Sequence, residues 1–268
     1  MTMRKIVIPG LAIAGSFFLC WFLLMQINWM KLFKVEKAKV ETEKKIGELL
    51  WDVFRESSPE VTDSAIVVPI DSILTKICTA NDIDRENIKL HILEKDEVNA
   101  FALPDGHLVI FNRLISETNK PEELAGVIGH ELAHIELKHV MKKLVREIGM
   151  VTLVSMSGGN NGSVLVKDAA RLLSSSAFDR KMETEADETS LDYLRKAKID
   201  PAPLADFLFN LSLSEADKPD YIDWISTHPD TQQRAESLAN QCKELTDEYE
   251  PVISDESWNR LKEAIDER

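Results

Sequence analysis

Apolar and polar positions along the chain change their spacing several times, and each change marks an element. Residues 6 to 30, IVIPGLAIAGSFFLCWFLLMQINWM, form a run of about 25 residues without a charge. As a helix that run is long enough to cross a hydrocarbon core of ~30 Å. Arg4 and Lys5 precede it, and Trp29 sits near its far end, where interfacial aromatics collect. The run is long for the apolar part of a cleaved signal, no A-x-A-like site follows, and SFFLC is a poor lipidation motif. Residues 1–30 are therefore expected to be a transmembrane anchor or uncleaved signal. Residues 31–63 read as an amphipathic helix, with Ile46, Leu49, Leu50, Val53 and Phe54 on one face, followed by the linker SSPEVTDS.

Further on, Ile70, Ile73, Leu74 and Ile77 recur at helical spacing. IKLHIL (88–93) alternates as a strand does, EKDE supplies a turn, and VNAFALP (98–104) is a second strand. Asp105-Gly106 is a strong hairpin signal before HLVIF, so a small antiparallel sheet is expected. Pro121-Glu122-Glu123 opens a long helix in the favoured way, running to about Gly149. A second long helix is expected over roughly 164–197, and others over 202–213 and 229–247. The fold class is mainly α with a small antiparallel β-sheet, an α+β arrangement. Its main domain is expected over 64–250, with an acidic C-terminal helix or tail over 251–268. No internal repeat is visible.

Composition changes this picture little. At 44% hydrophobic and 29% charged, the chain of 268 residues can bury a core. Its net charge of −14 and the lack of a basic stripe argue against nucleic acid as a partner. Lys31, Lys34, Lys37 and Lys39 follow the apolar run and nominally hold the main domain in the cytoplasm, although large domains translocate regardless of such charges. Cys20, Cys78 and Cys242 form no CxxC pair, which excludes a cysteine zinc site. Cys78 and Cys242 are read either as two free thiols or as one disulfide.

The chemistry lies in GHELAHIELKH (129–139). His130 and His134 are four apart, so their side chains lie about 40° apart on one helical face. Both imidazoles can reach one ion at about 2 Å, as zinc requires. Glu131 is displaced by about 60° from His134, where a general base sits to take a proton from water at the metal. Gly129 and Ala133 leave room for another element to approach. His139 lies about 140° around a continuous helix from His134, which makes it a solvent or packing histidine. His91 and His107 lack partners in the sequence and read as structural.

A third ligand is found in DRKMETEAD (179–187), where Glu183 and Asp187 are again four apart. Glu183 can complete the site, and Asp187 can hold a ligand histidine through its free ring N–H. Glu185 points about 200° away from Glu183, so at most one of them is the ligand. Without HExxH, the same stretch would be a solvated acidic face.

Four stretches in this order, VNAFALPDG, GVIGHELAHIELKH, RKMETEADETSLDYL and STHPDTQQR, resemble the zinc metallopeptidases that include CAAX prenyl protease, the heat-shock protease HtpX and periplasmic quality-control relatives. They span about residues 98 to 234. The resemblance implies a zincin-like domain holding one Zn2+ through His130, His134 and Glu183. Glu131 would be the catalytic base and Asp187 would support a ligand from behind. His228, in THP, would lie over the active site as an oxyanion donor or as an occupant of the open metal position. NAFALP would be the strand that receives an extended peptide, making Asn99, Ala100, Phe101 and Ala102 substrate-side residues.

The short apolar stretch after Gly149 cannot span a membrane, which places the chain with the single-anchor or soluble branch. Ser190 and Lys198 stand where that family commonly has glycine. The function implied is a membrane-anchored endopeptidase acting on unfolded or extended polypeptides in protein quality control, with its catalytic domain extracytoplasmic (periplasmic). The alternative is a peptide-binding or chaperone-like module with a latent or structural zinc site.

Overall fold

The computed structural model describes residues 35–149, 152–153, 155–156, 162–214 and 222–268. The expected anchor over 1–30, and Cys20 within it, lie outside the described residues. No described helix is long and apolar enough to cross a membrane. The chain divides into two compact units, 1–42 and 43–268.

Of the apolar stripe expected of it, helix α1 (Val35–Ser57) buries Ile46, Leu50 and Phe54 and half-buries Leu49 and Val53, and it buries Trp51 besides. Asp63 then caps α2 (Ser64–Ala80) by accepting from Ala65 N at 2.9 Å. The buried face of α2 carries Ile66, Ile70, Ile73, Leu74 and Ile77.

Three strands follow: β1 (Lys89–Leu93), β2 (Ala100–Leu103) and β3 (His107–Phe111). Asp105 and Gly106 both have positive φ, 63° and 73°, in the three-residue loop that joins Leu103 to its partner His107, the hairpin that this dipeptide signals. A Cβ on Gly106 would also meet Asn87 O at 2.0 Å, so the position needs glycine. The sheet is mixed rather than wholly antiparallel. Its order is β1-β3-β2, with β2–β3 antiparallel and β1–β3 parallel. The hairpin turn dictates only the β2–β3 pairing. Residues 94–99 carry the chain past the end of β3, where Lys95 N donates to Asn112 Oδ1 at 2.7 Å. Every residue of β3 is buried, as suits a central strand with neighbours on both edges.

After the short α3 (Asn112–Glu117), α4 (Pro121–Glu136) carries the HExxH stretch under the sheet, packed on β2 and β3. The single helix expected to run on to Gly149 is broken. Lys138 adopts the left-handed conformation (φ 57°, ψ 33°), and α5 (His139–Ile148) restarts beyond it. The second long helix is also two, α6 (Gly162–Ser175) and α7 (Arg180–Lys196). Between them Phe178 N donates to Thr227 O at 3.0 Å, and Asp179 caps α7 through Met182 N. The remaining helices are α8 (Ala202–Ser214), α9 (Ile222–Thr227), α10 (Thr231–Lys243) and α11 (Asp255–Asp266).

Helix α11 buries Trp258, Leu261 and Ile265 and packs on α2 and α3. Its Lys262 Nζ donates to the carbonyls of Ile115, Ser116 and Thr118 at the end of α3. Cys78 and Cys242 are free, and burial pushes both thiols up to about 11.

Candidate metal centre

Helix α7 lies along α4 at close range, because α4 presents glycine on that side. A Cβ on Gly129 would come within 2.8 Å of Ser190 Oγ, and Ser190 Oγ donates to Gly126 O at 3.3 Å. The serine at 190 is thus received by the small residues facing it. This approach brings the Glu183 end of α7 against the histidines of α4.

His130 Nε2 and His134 Nε2 are 3.0 Å apart. Glu183 lies 3.6 Å from His130 Nε2 through Oε2 and 3.4 Å from His134 Nε2 through Oε1. A tetrahedral ion with bonds of 2.0–2.1 Å has donors about 3.3 Å apart, so the three separations scatter around the required value. With His228 they form a buried group whose ligand atoms all lie within 4.8 Å of one another and which could hold a metal ion.

Glu131 stands beside that group, with Oε1 3.2 Å from His228 Nε2. The oxygens of Glu131 and Glu183 and His228 Nε2 are buried without an aligned hydrogen-bond partner. Buried carboxylates left in that state are costly unless a cation faces them. Glu131, Glu183 and Asp187 converge here against the guanidinium of Arg234, an acidic excess that suits a dication. Two imidazoles and a carboxylate are the donor set zinc takes.

The expected site residues lie near this group, on β2, or, for Asn99, just before β2. Asp187 sits behind His130, with Oδ1 3.0 Å from Nδ1. Arg234 grips Asp187 through Nε and Nη2 at 2.8 and 2.7 Å, and its Nη1 lies 2.5 Å from Glu183 Oε2. His228 stacks on Trp224 at 4.2 Å, and its Nδ1 is 2.9 Å from Thr227 Oγ1. Ala100, Phe101 and Ala102 lie on β2, with Asn99 just before it.

His139 corrects the expectation drawn from the helical wheel. It is fully buried, its Nδ1 is 3.1 Å from His134 Nδ1, and its Nε2 is 3.3 Å from Glu185 Oε2. The break at Lys138 swings it back toward α4, which a continuous helix would not allow. His91 and His107 are also partnered: His91 Nε2 meets His107 Nδ1 at 3.0 Å, and Glu60 Oε1 lies 2.9 Å from His91 Nδ1. The parallel β1–β3 register puts them together. Arg234 and Trp224 carried no spacing signal of their own, although Arg234 closes the STHPDTQQR stretch.

The charges follow from burial and these partners. Burial lowers His130, but Asp187 and Glu183 outweigh it and raise the group to about 9. Burial dominates at His134, which falls to about 4. Burial would raise Glu131, yet the neighbouring histidines, His228 foremost, hold it below the usual carboxylate range. Asp187, buried but held by Arg234, falls to about 2.

Comparison with known families fits this geometry. Residues 69–241 match the model of peptidase family M48. The chain belongs to that family. Zinc is the cofactor of M48 metalloproteases, and the donor set described above fits it. Relatives include the metalloprotease LoiP of Escherichia coli K12, 29% identical over 194 residues, covering 68% of this chain and 76% of LoiP. Bovine mitochondrial metalloendopeptidase OMA1 is 28% identical over 170 residues, which cover 58% of this chain and 32% of that protein. The β-barrel assembly-enhancing protease of Yersinia pestis is 22% identical over 224 residues, 77% of this chain and 45% of its own length. The match therefore spans about a third to three quarters of the length of these M48 relatives.

Proposed function

We propose that this M48 chain is a membrane-anchored zinc endopeptidase. His130, His134 and Glu183 hold the ion, Asp187 orients His130, and Arg234 balances the two acids of α7. When bound, zinc supplies Lewis-acid activation of water and of the scissile carbonyl at this position. Glu131, kept ionised by its histidine neighbours, accepts the proton of the attacking water and returns it to the leaving amine. His228 Nε2, on the Glu131 side of the group, donates to the developing oxyanion.

The substrate is an extended or unfolded polypeptide that adds to β2 along Asn99–Ala102. The name of one relative, a β-barrel assembly-enhancing protease, favours a role in protein quality control. The apolar run 6–30 supports the anchor, and the main domain is placed on the extracytoplasmic side.

The observation that carries this reading is Glu131. A structural zinc site needs no acid beside its ligands, and here one is fully buried with both oxygens free of an aligned donor. A latent or peptide-binding role draws on the burial of His228 within the same donor group. The two separate on one comparison: cleavage of an unfolded protein by wild type and by Glu131→Gln at equal zinc occupancy. We expect the variant to lose at least about 100-fold in turnover while keeping its metal. Equal, negligible cleavage by both forms would favour the latent reading.

A further inference from the structure

The edge of the sheet beside the metal centre is built to receive more than a backbone. Phe111 N donates to Asn99 O at 3.0 Å, which makes Asn99, Phe101 and Leu103 the residues bonded to β3. The alternation of an antiparallel pair then turns the N–H and C=O groups of Ala100 and Ala102 to the outer edge, where both residues are buried, so an added strand must displace what covers them. Among the described residues no strand pairs with that edge.

The side chains alternate as well. Phe101 packs on Phe54 of α1 at 4.6 Å and edge-on to Phe111 at 5.6 Å, so Asn99 and Phe101 share the face turned away from α4.

On that face lies a cavity of about 380 Å³, with an aromatic floor of Phe54, Phe101 and Phe111. Asn99 lines it, is only 2% exposed, and has an Oδ1 without a hydrogen-bond partner. A buried amide oxygen in that state is a ready acceptor for an incoming N–H. The opposite wall is α6, which contributes Lys167 and Arg171, four apart on one face and both exposed. Neither pairs with an acid among the described residues, in a chain whose net charge is −14. Lys95 also lines the cavity, but Glu97 holds it at 3.0 Å.

We propose that this cavity is the subsite for substrate side chains projecting away from the metal. It selects extended segments that carry a bulky apolar residue with an acidic residue two positions away. The inference rests on the peptidase reading given above. Residues i and i+2 of an added strand point the same way. One fills the aromatic floor, while the other meets Lys167 and Arg171 at the rim. Asn99 Oδ1 accepts an N–H from the same segment.

The test uses the full-length, zinc-loaded chain in detergent and matched fluorogenic peptides. These differ only in Glu or Lys placed two residues from a phenylalanine. The Glu peptide is expected to exceed the Lys peptide by roughly fivefold in kcat/KM at low salt, the scale of exposed ion pairs, with the gap closing as salt is added. In Lys167→Glu/Arg171→Glu the order should reverse. Binding of the same peptides to Glu131→Gln, read by fluorescence anisotropy, gives the same comparison without turnover. Preferential binding of the Glu peptide with no cleavage by wild type would sink the peptidase reading and leave the subsite standing. Equal cleavage and equal binding of the two peptides by unmutated α6 would overturn the subsite, whether or not the double variant folds.

Discussion

His139 shows how much one residue outside the donor group can contribute. Two Nδ1 atoms at 3.1 Å need one hydrogen between them. With His134 Nε2 turned to the ion, that hydrogen sits on His134, and His139 Nε2–H is left to point at Glu185. The result is a line from a partly exposed carboxylate to His134, one of the proposed ligands, which fixes its tautomer. Removing it in His139→Ala should weaken zinc binding by about 10- to 100-fold, measured by competition with a chromophoric chelator. Arg234 acts on the other side of the site. It is the guanidinium facing Glu183 and Asp187, so Arg234→Gln leaves two buried acids with zinc as their main counter-charge. Chelation should therefore lower the thermal midpoint of Arg234→Gln by more than it lowers that of wild type. A smaller drop would mean that the guanidinium does not balance these acids.

At the scale of elements, the breaks between helices decide where the chemistry goes. IELKH has no glycine or proline, and its residues are compatible with a continuing helix. The turn at Lys138 is closed locally by Lys138 N donating to Ile135 O at 3.0 Å, and beyond it α5 departs to pack on α6. A lysine with φ 57° carries a strain of about 1 kcal/mol that glycine would not. Lys138→Gly should raise the thermal midpoint by about 2–4 °C, whereas Lys138→Val should lower it and weaken zinc binding through displacement of His139. The second break had a readable signal, since Ser-Ser-Ser-Ala-Phe-Asp ends in the residue that caps α7. Lys198 is likewise left-handed, with φ 55°, at the end of α7, a conformation that glycine adopts without strain.

Across the whole domain, burial sets a second pH-sensitive feature away from the metal. Burial lowers His107 to about 3, with Lys89 and His91 acting in the same direction and Asp105 against them. His91 is lowered too, by burial against the opposing pull of Glu60. Trp51 stacks on His91 at 3.7 Å and closes this face. Both histidines are therefore neutral in the folded chain and charge more readily when it unfolds. Their contribution to stability is complete above the ordinary histidine value of about 6.5 and is lost progressively as pH falls from there toward 3. Between pH 7 and pH 5 the thermal midpoint should fall in wild type and fall less in His107→Gln, at fixed zinc.

The sequence by itself determined the fold class, the hairpin at Asp105-Gly106 and the histidine pair on one face of α4, because these rest on local spacing: residues four apart on a helix meet wherever that helix is placed. It also marked Glu183 and Asp187 as a pair on one helical face. The tertiary structure decided which strand lies at the centre of the sheet and where the two long helices break. It also decided the company of His139, Arg234 and Trp224 around the donor group. Those contacts join residues tens of positions apart, such as Glu185 with His139 and Asp187 with Arg234, and no local period encodes them.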